Sequence, residues 1–193
     1  MAGLQVLGRD HTACENGVMR TKLKAVLIGV ATSLCLTGCA SPVTYMVQYP
    51  YYESLQEIIE ASDLIVTATM TSSRVQRFEE GSGEPMVYTV YSFRVSKCYQ
   101  GCIERPEPWD IEVRQLGGVL RGVEHRMSDG DRFEKGEKYH LFLSEFPDFP
   151  YVVVNPIQGA YLGLPDHNDN YLSASLTSSW TISVAEFEEL VGR

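Results

Sequence analysis

Trp109-Asp110-Ile111-Glu112-Val113-Arg114-Gln115-Leu116 is the stretch that decides the fold. Trp109, Ile111 and Val113 alternate with Asp110, Glu112 and Arg114. A period of two sends successive side chains to opposite faces, so the segment reads as a β-strand with one buried and one wet face. That is the pattern of an antiparallel sheet or a barrel wall, and it places Arg114 on the wet face. Asp63 to Val75 has the same period, with Leu64, Val66, Ala68 and Met70 on one side. Met86 to Lys97 is a second long strand carrying Val87, Thr89, Tyr91, Phe93 and Val95 on one face. Gly117-Gly118 ends the quoted strand, and a weaker one runs from Val119 to Arg126. Tyr139 to Leu143, Tyr151 to Val154 and, after the Asn155-Pro156 break, Ala160 to Leu164 complete the set. "EEGSGEP" (79–85) and "SDGDRFEKGEK" (128–138) have loop and turn composition.

Two short helices flank the strands. Ser54-Leu55-Gln56-Glu57 reads as a capping box, in which Ser54 and Glu57 satisfy backbone donors at a helix start. Leu55, Ile58 and Ile59 follow at helical spacing, which predicts a helix over Ser54 to Ala61. Ser183-Val184-Ala185-Glu186 repeats the box, and Val184, Phe187, Leu190 and Val191 give the last helix an apolar face. The expected class is mainly β, one small barrel or sandwich of five to six strands. "SLQEIIEASDLIVTATM", "YTVYSFRVSKCYQG", "WDIEVRQLGG" and "FEKGEKYHLFL" resemble the strand pattern of uncharacterised secreted bacterial domains with an OB-like, netrin-like barrel. The resemblance covers about Ser54 to Leu164 and implies a small antiparallel OB-like barrel over residues 53–193. It names no ligand, because such folds host many roles.

The N-terminal part sets an address. Arg20, Lys22 and Lys24 precede Ala25 to Leu36, twelve residues without charge. A membrane-spanning helix needs about 20 apolar residues; twelve match the core of a secretory signal. Leu36-Thr37-Gly38-Cys39 resembles the lipobox of bacterial lipoproteins. That resemblance implies cleavage before Cys39 and acylation of its thiol and its new amino group, a firm membrane anchor. Asp10 and Glu15 do not suit a signal start, whereas Met19 does, so residues 1–38 read as a leader whose translation begins at Met19. Residues 39–52 read as a lipidated tether. It is too aromatic for a flexible linker, so its later part is expected to dock on the domain. The implied location is the bacterial cell envelope, at the periplasmic face of an outer membrane or the cell surface. Ala40 after the anchor is compatible with outward sorting.

Charge excludes some partners. The 193-residue chain carries a net charge of −9; the leader takes 4 of 16 basic and 2 of 25 acidic residues, leaving 12, 23 and a net of −11. Such a surface repels nucleic-acid phosphates and anionic lipid. A chain of this length makes one domain able to bury most of its unfolded surface. Of the five cysteines, Cys98 and Cys102 remain for the exported domain, spaced C-x-x-x-C around Gly101. Outside the cytoplasm that pair reads as a disulfide; the alternative is two buried thiols. No His or Cys lies nearby to complete a zinc site.

Sites of other kinds fit poorly. Asp166, Asn168 and Asn170 alternate as at the start of a calcium loop, but Tyr171 and Thr177 stand where Gly and Glu are required. Asp129, Asp131 and Glu134 fail the same test, so no metal site and no cofactor is expected, with weak calcium binding outside the cell left as the alternative for both loops. His125, His140 and His167 lie in no catalytic frame. His125 reads as loop surface, and His140 as a strand residue on the wet face or paired structurally. Tyr45, Tyr49, Tyr51 and Tyr52 cluster near the anchor, either as an interface or as a lid on the barrel. The expected function is non-enzymatic: an envelope-anchored lipoprotein that binds or assembles with another envelope protein. The alternatives are a netrin-like protease inhibitor and a hydrolase with an unrecognised site. Netrin-like metalloproteinase inhibitors present a free N-terminal Cys amine to the target zinc, and acylation of Cys39 would remove it.

Overall fold

Four strands share one core because their apolar positions keep the same period. Leu64, Val66, Ala68 and Met70 meet Tyr91, Phe93 and Val95, then Trp109, Ile111 and Val113, then Tyr139, Leu141 and Leu143. The structure is a computed structural model and describes residues 41–79, 85–102, 108–127, 132–163, 171–173 and 181–192. Its strands are β1 (Val43–Tyr45), β2 (Leu64–Phe78), β3 (Met86–Gln100), β4 (Trp109–Leu116), β5 (Gly118–Leu120) and β6 (Val123–Met127). They continue with β7 (Lys138–Phe146), β8 (Phe149–Val153), β9 (Ala160–Gly163), β10 (Tyr171–Ser173) and β11 (Thr181–Ser183). The helices are α1 (Leu55–Glu60) and α2 (Val184–Val191).

The protein is mainly β, and five of its strands form a closed ring. β2 pairs antiparallel with β3 and β7, and β3 with β4. β7 turns back on β8, and β8 closes the ring by pairing with β4 at Tyr151↔Val113. Register shifts in β2 at Ile65/Val66, Thr67/Ala68 and Met70/Ser72 bend the longest hairpin as closure requires. β9 joins β7 as a sixth strand and leads on to β10 and β11. The antiparallel expectation holds for most pairings, with two exceptions. The closing pair β4–β8 is parallel, and so is β1–β6. The weak strand expected over Val119–Arg126 is in fact a hairpin of β5 and β6. Arg121 and Gly122 make its turn with φ of 52° and 79°, so the chain reverses where sequence alternation alone suggested continuity.

The ring interior is filled by aromatic edges. Phe133 meets Tyr91, Phe93 and Tyr139 edge-on at centroid distances of 5.0, 5.1 and 5.0 Å. The two helices cover the outer face of β2 and β7. Ile58, Ile59, Phe187 and Val191 bury Ile65, Phe142 and Tyr161 there. Both helices start on serine caps, Ser54 Oγ accepting from the Glu57 amide and Ser183 Oγ from the Glu186 amide.

At the end of β3, Cys98 and Cys102 are joined by a disulfide with their Cα atoms 5.9 Å apart. Gly101 between them has φ of 69°, and a Cβ there would run into the Asp63 carbonyl. The bridge closes a short loop, so its stabilisation by loop entropy is about 2 kcal/mol. Replacing both cysteines by alanine is expected to lower unfolding stability by that amount in urea titrations, with no change in m-value.

Candidate functional site

Parity along β4 sends Ile111 and Val113 into the ring, so Arg114 points out of it. It is nevertheless only 3 % exposed, which corrects the expectation of a wet face. The reason is tertiary. Four rings from elements distant in sequence gather round its guanidinium: Phe149 at 4.7 Å, Tyr88 at 5.0 Å, Phe146 at 5.4 Å and Phe78 at 5.6 Å from centroid to Cζ. Phe78 in turn meets Tyr88 and Phe149 edge-on at 5.5 and 5.8 Å. A guanidinium suits this place because it is planar, weakly hydrated and stacks on aromatic faces. Each such contact is worth about 0.5–2 kcal/mol, against a desolvation cost of several. The cluster is not sealed, since Phe146 at the β7–β8 turn is 45 % exposed.

Its position in the ring matters. Tyr88 lies on the second ring strand and Arg114 on the third. Phe78 ends the first, and Phe146 and Phe149 flank the turn between the fourth and fifth.

The segment after Ser41 is fastened along the same region. β1 runs beside β6 with Val43↔His125 and Tyr45↔Met127 in register. Tyr45 Oη lies 2.9 Å from His125 Nδ1 and accepts from the Val87 amide at 3.3 Å. Tyr45 and Val47 pack beside Met86, Tyr88 and Leu116, next to the arginine cluster. Tyr49 Oη donates to Met127 Sδ at 3.2 Å. Farther on, Asn155 Nδ2 donates to the Pro50 carbonyl at 2.8 Å, and Gln158 exchanges hydrogen bonds with the Tyr52 backbone. The segment from Val43 to Tyr52 therefore docks on the domain, and earlier than its aromatic composition suggested. Tyr51 alone of the four tyrosines is largely exposed, at 72 %.

The histidines have structural surroundings. His125 is buried in β6, against the expectation of loop surface, and burial followed by the charge of Arg77 pushes its pKa down. His140 faces α2, with Nδ1 3.0 Å from Thr67 Oγ1 and its ring 4.7 Å from Phe187. Burial pushes it down to about 4, Glu188 opposing and Lys138 and Lys97 assisting. A polar cleft of about 190 Å³ lies between β3, β4 and β6, rimmed by Arg126 and Arg132. Both arginines reach Glu124, at 2.6 and 3.9 Å.

Cys39, Asp129, Asp131, Asp166, His167, Asn168, Asn170 and Thr177 lie outside the described residues, and the side chain of Tyr171 is likewise not described. Glu134 is exposed. Among the described residues, no group of three His, Cys, Asp or Glu could hold a metal ion, and no helix is long and apolar enough to cross a membrane. No protein-family model and no curated protein matches the chain.

Truncating Arg114 empties a site built round it. Arg114→Ala is expected to cost about 2–4 kcal/mol in chemical denaturation, and Arg114→Lys to recover less than half of that, since an ammonium stacks poorly on four rings. The depressed His140 gives a second expectation. Its pKa is about 4 folded against 6.5 unfolded, so its neutral form stabilises the fold fully above pH 6.5. That contribution, about 3 kcal/mol, is lost as pH falls from 6.5 through 4, because the unfolded chain binds the proton first. In His140→Gln, urea midpoints measured across this window will fall less steeply than in the parent.

Proposed function

We propose that this protein is an envelope lipoprotein, held by acyl chains on Cys39, whose ring binds an extended segment of another envelope protein. The observation that carries the reading is the Arg114 cluster. By the OB-like resemblance of the sequence it corresponds to the face of strands two and three, where such folds take oligomeric ligands, and it offers Phe146 and Phe149 over a positively charged base. Aromatic residues and arginine are the residue types that dominate binding energy at protein interfaces. Tyr45 and Val47 already occupy the Leu116 side of this face, so a partner would lie along Phe78, Phe146 and Phe149. The acidic balance of the chain disfavours a nucleic acid as the ligand.

Two measurements test the two halves. Labelled palmitate fed to cells should enter the protein and be absent from Cys39→Ser; label surviving that substitution contradicts the anchor. A photoreactive phenylalanine analogue at Phe146 should give one discrete protein adduct in the membrane fraction, absent when the probe replaces Ala185 on α2. Equal adducts at both positions, or none at Phe146, contradict binding at the cluster.

A further inference from the structure

We propose that the outer edge of β2 between Thr71 and Phe78 is a dimer interface, where a second copy of this chain pairs antiparallel about a two-fold axis through Val75. The inference goes beyond the partner site proposed above and does not depend on it. Its starting point is a neighbouring strand that stops short. β7 runs beside β2 only from Leu64↔Leu143 to Thr69↔Lys138. The last bonds on that side run from Met70 N–H to the Glu137 carbonyl and from Gly136 N–H to the Met70 carbonyl. β2 continues to Phe78 with β3 alone beside it, about 26 Å of further strand. Among the described residues, no strand pairs with the other side of this stretch.

Alternation along β3 identifies the backbone groups left over. The Val87 carbonyl accepts from Gly117 N–H, and Val87 N–H donates to Tyr45 Oη, so Val87 turns its backbone away from β2. Met86, Tyr88 and Val90 therefore bond towards β2, where their partners are Phe78, Gln76 and Arg74. The residues between those partners, Ser73, Val75 and Arg77, point N–H and C=O out of the sheet edge. Ser73 and Arg77 are exposed and Val75 is half-buried. Long unpaired edges are normally blunted by proline or lysine. Thr71 to Phe78 contains neither.

The edge is complementary to itself. An axis through Val75 sets Val75 opposite Val75 of the second copy, and Ser73 opposite Arg77 of the second copy, twice by symmetry. Each outward residue then faces another outward residue, so every such pair exchanges both hydrogen bonds. On the opposite face of the strand Arg74 meets Gln76 of the second copy, and Arg74 already holds Glu112 as a bidentate counter-ion. No charge directly faces its like, which would destabilise a strand pair. Neighbouring registers are poorer. An axis through Arg74 sets Arg74 against Arg74, and one through Gln76 sets Ser73 against Glu79, beyond the end of β2. Each copy carries a net charge of −9, but at physiological ionic strength charges more than about 8 Å apart are largely screened, and the strand pairing is local. The two-fold axis closes the assembly at two copies and leaves neither edge open.

Sedimentation equilibrium of the purified protein at physiological ionic strength tests this, and a monomer–dimer equilibrium is expected. Ser73→Glu faces Arg77 of the second copy twice and should tighten the dimer about tenfold, whereas Ser73→Arg should loosen it by a similar factor. Adding Arg77→Glu to Ser73→Arg should restore the parent's affinity. A monomer at every concentration up to about 1 mM, or a dimer indifferent to all three variants, overturns the proposal. Tightening by Ser73→Arg puts its side chain opposite Glu79 and overturns the register. Amide exchange followed by NMR gives a second readout. Ser73, Val75 and Arg77 should exchange slowly in the dimer and speed up on dilution. In a protein that stays monomeric, fast exchange at Val75 and Arg77 leaves the edge to a strand from another protein, and slow exchange shows it covered within the chain; either result overturns the second copy as its occupant.

Discussion

Closure of the ring rests on β8. This strand leaves β7 through a two-residue turn, pairs back on it, and then meets β4 in parallel at Tyr151↔Val113. Without that contact β4 would be a sheet edge with unpaired backbone groups, and the apolar faces of β2, β3 and β7 would have no far wall. The same contact sets Phe149 against the guanidinium of Arg114 and lets Phe146 lean over it. The closing strand thus does two jobs. It completes the hydrophobic interior, and it builds a place on the ring's outside where a buried positive charge sits among aromatic rings.

Burying that charge is costly, and the arrangement offsets the cost by geometry. A guanidinium is planar and more weakly hydrated than an ammonium, so it sits among aromatic rings at a smaller desolvation cost. The rings come from three separate parts of the chain, so their convergence ties the end of β2, the start of β3 and the β7–β8 turn together. A rigid aromatic surface loses little conformational freedom on binding, which is why we propose the cluster as the seat for a partner.

The ring was legible in the residues because burial with a period of two is a local signal. Leu64 to Met70, Tyr91 to Val95 and Trp109 to Val113 each state their inward face without reference to anything else. Capping serines at 54 and 183 are equally local. The misreadings share a cause. Alternation gives the side on which Arg114 lies but not what covers it, and its cover comes from Phe78 and Phe149, 36 positions before and 35 after. His125 is hidden by Tyr45, 80 residues away. β1 is three residues long, too short to show any period, and its parallel partner is remote. The hairpin of β5 and β6 was hidden because its turn uses Arg121, which is not a residue type that announces positive φ. The arginine cluster could have been suspected from the excess of aromatic residues near the strand ends, but their convergence is a property of the closed ring alone.

The contact between β4 and β8 is the claim on which both the closure and the cluster depend, and proton NMR of the folded domain tests it most directly. Strong upfield ring-current shifts of the Arg114 δ-protons are expected, with nuclear Overhauser effects to the ring protons of Phe149 and Tyr88. Arg114 δ-protons at their random-coil position, with no cross-peak to either ring, would contradict it.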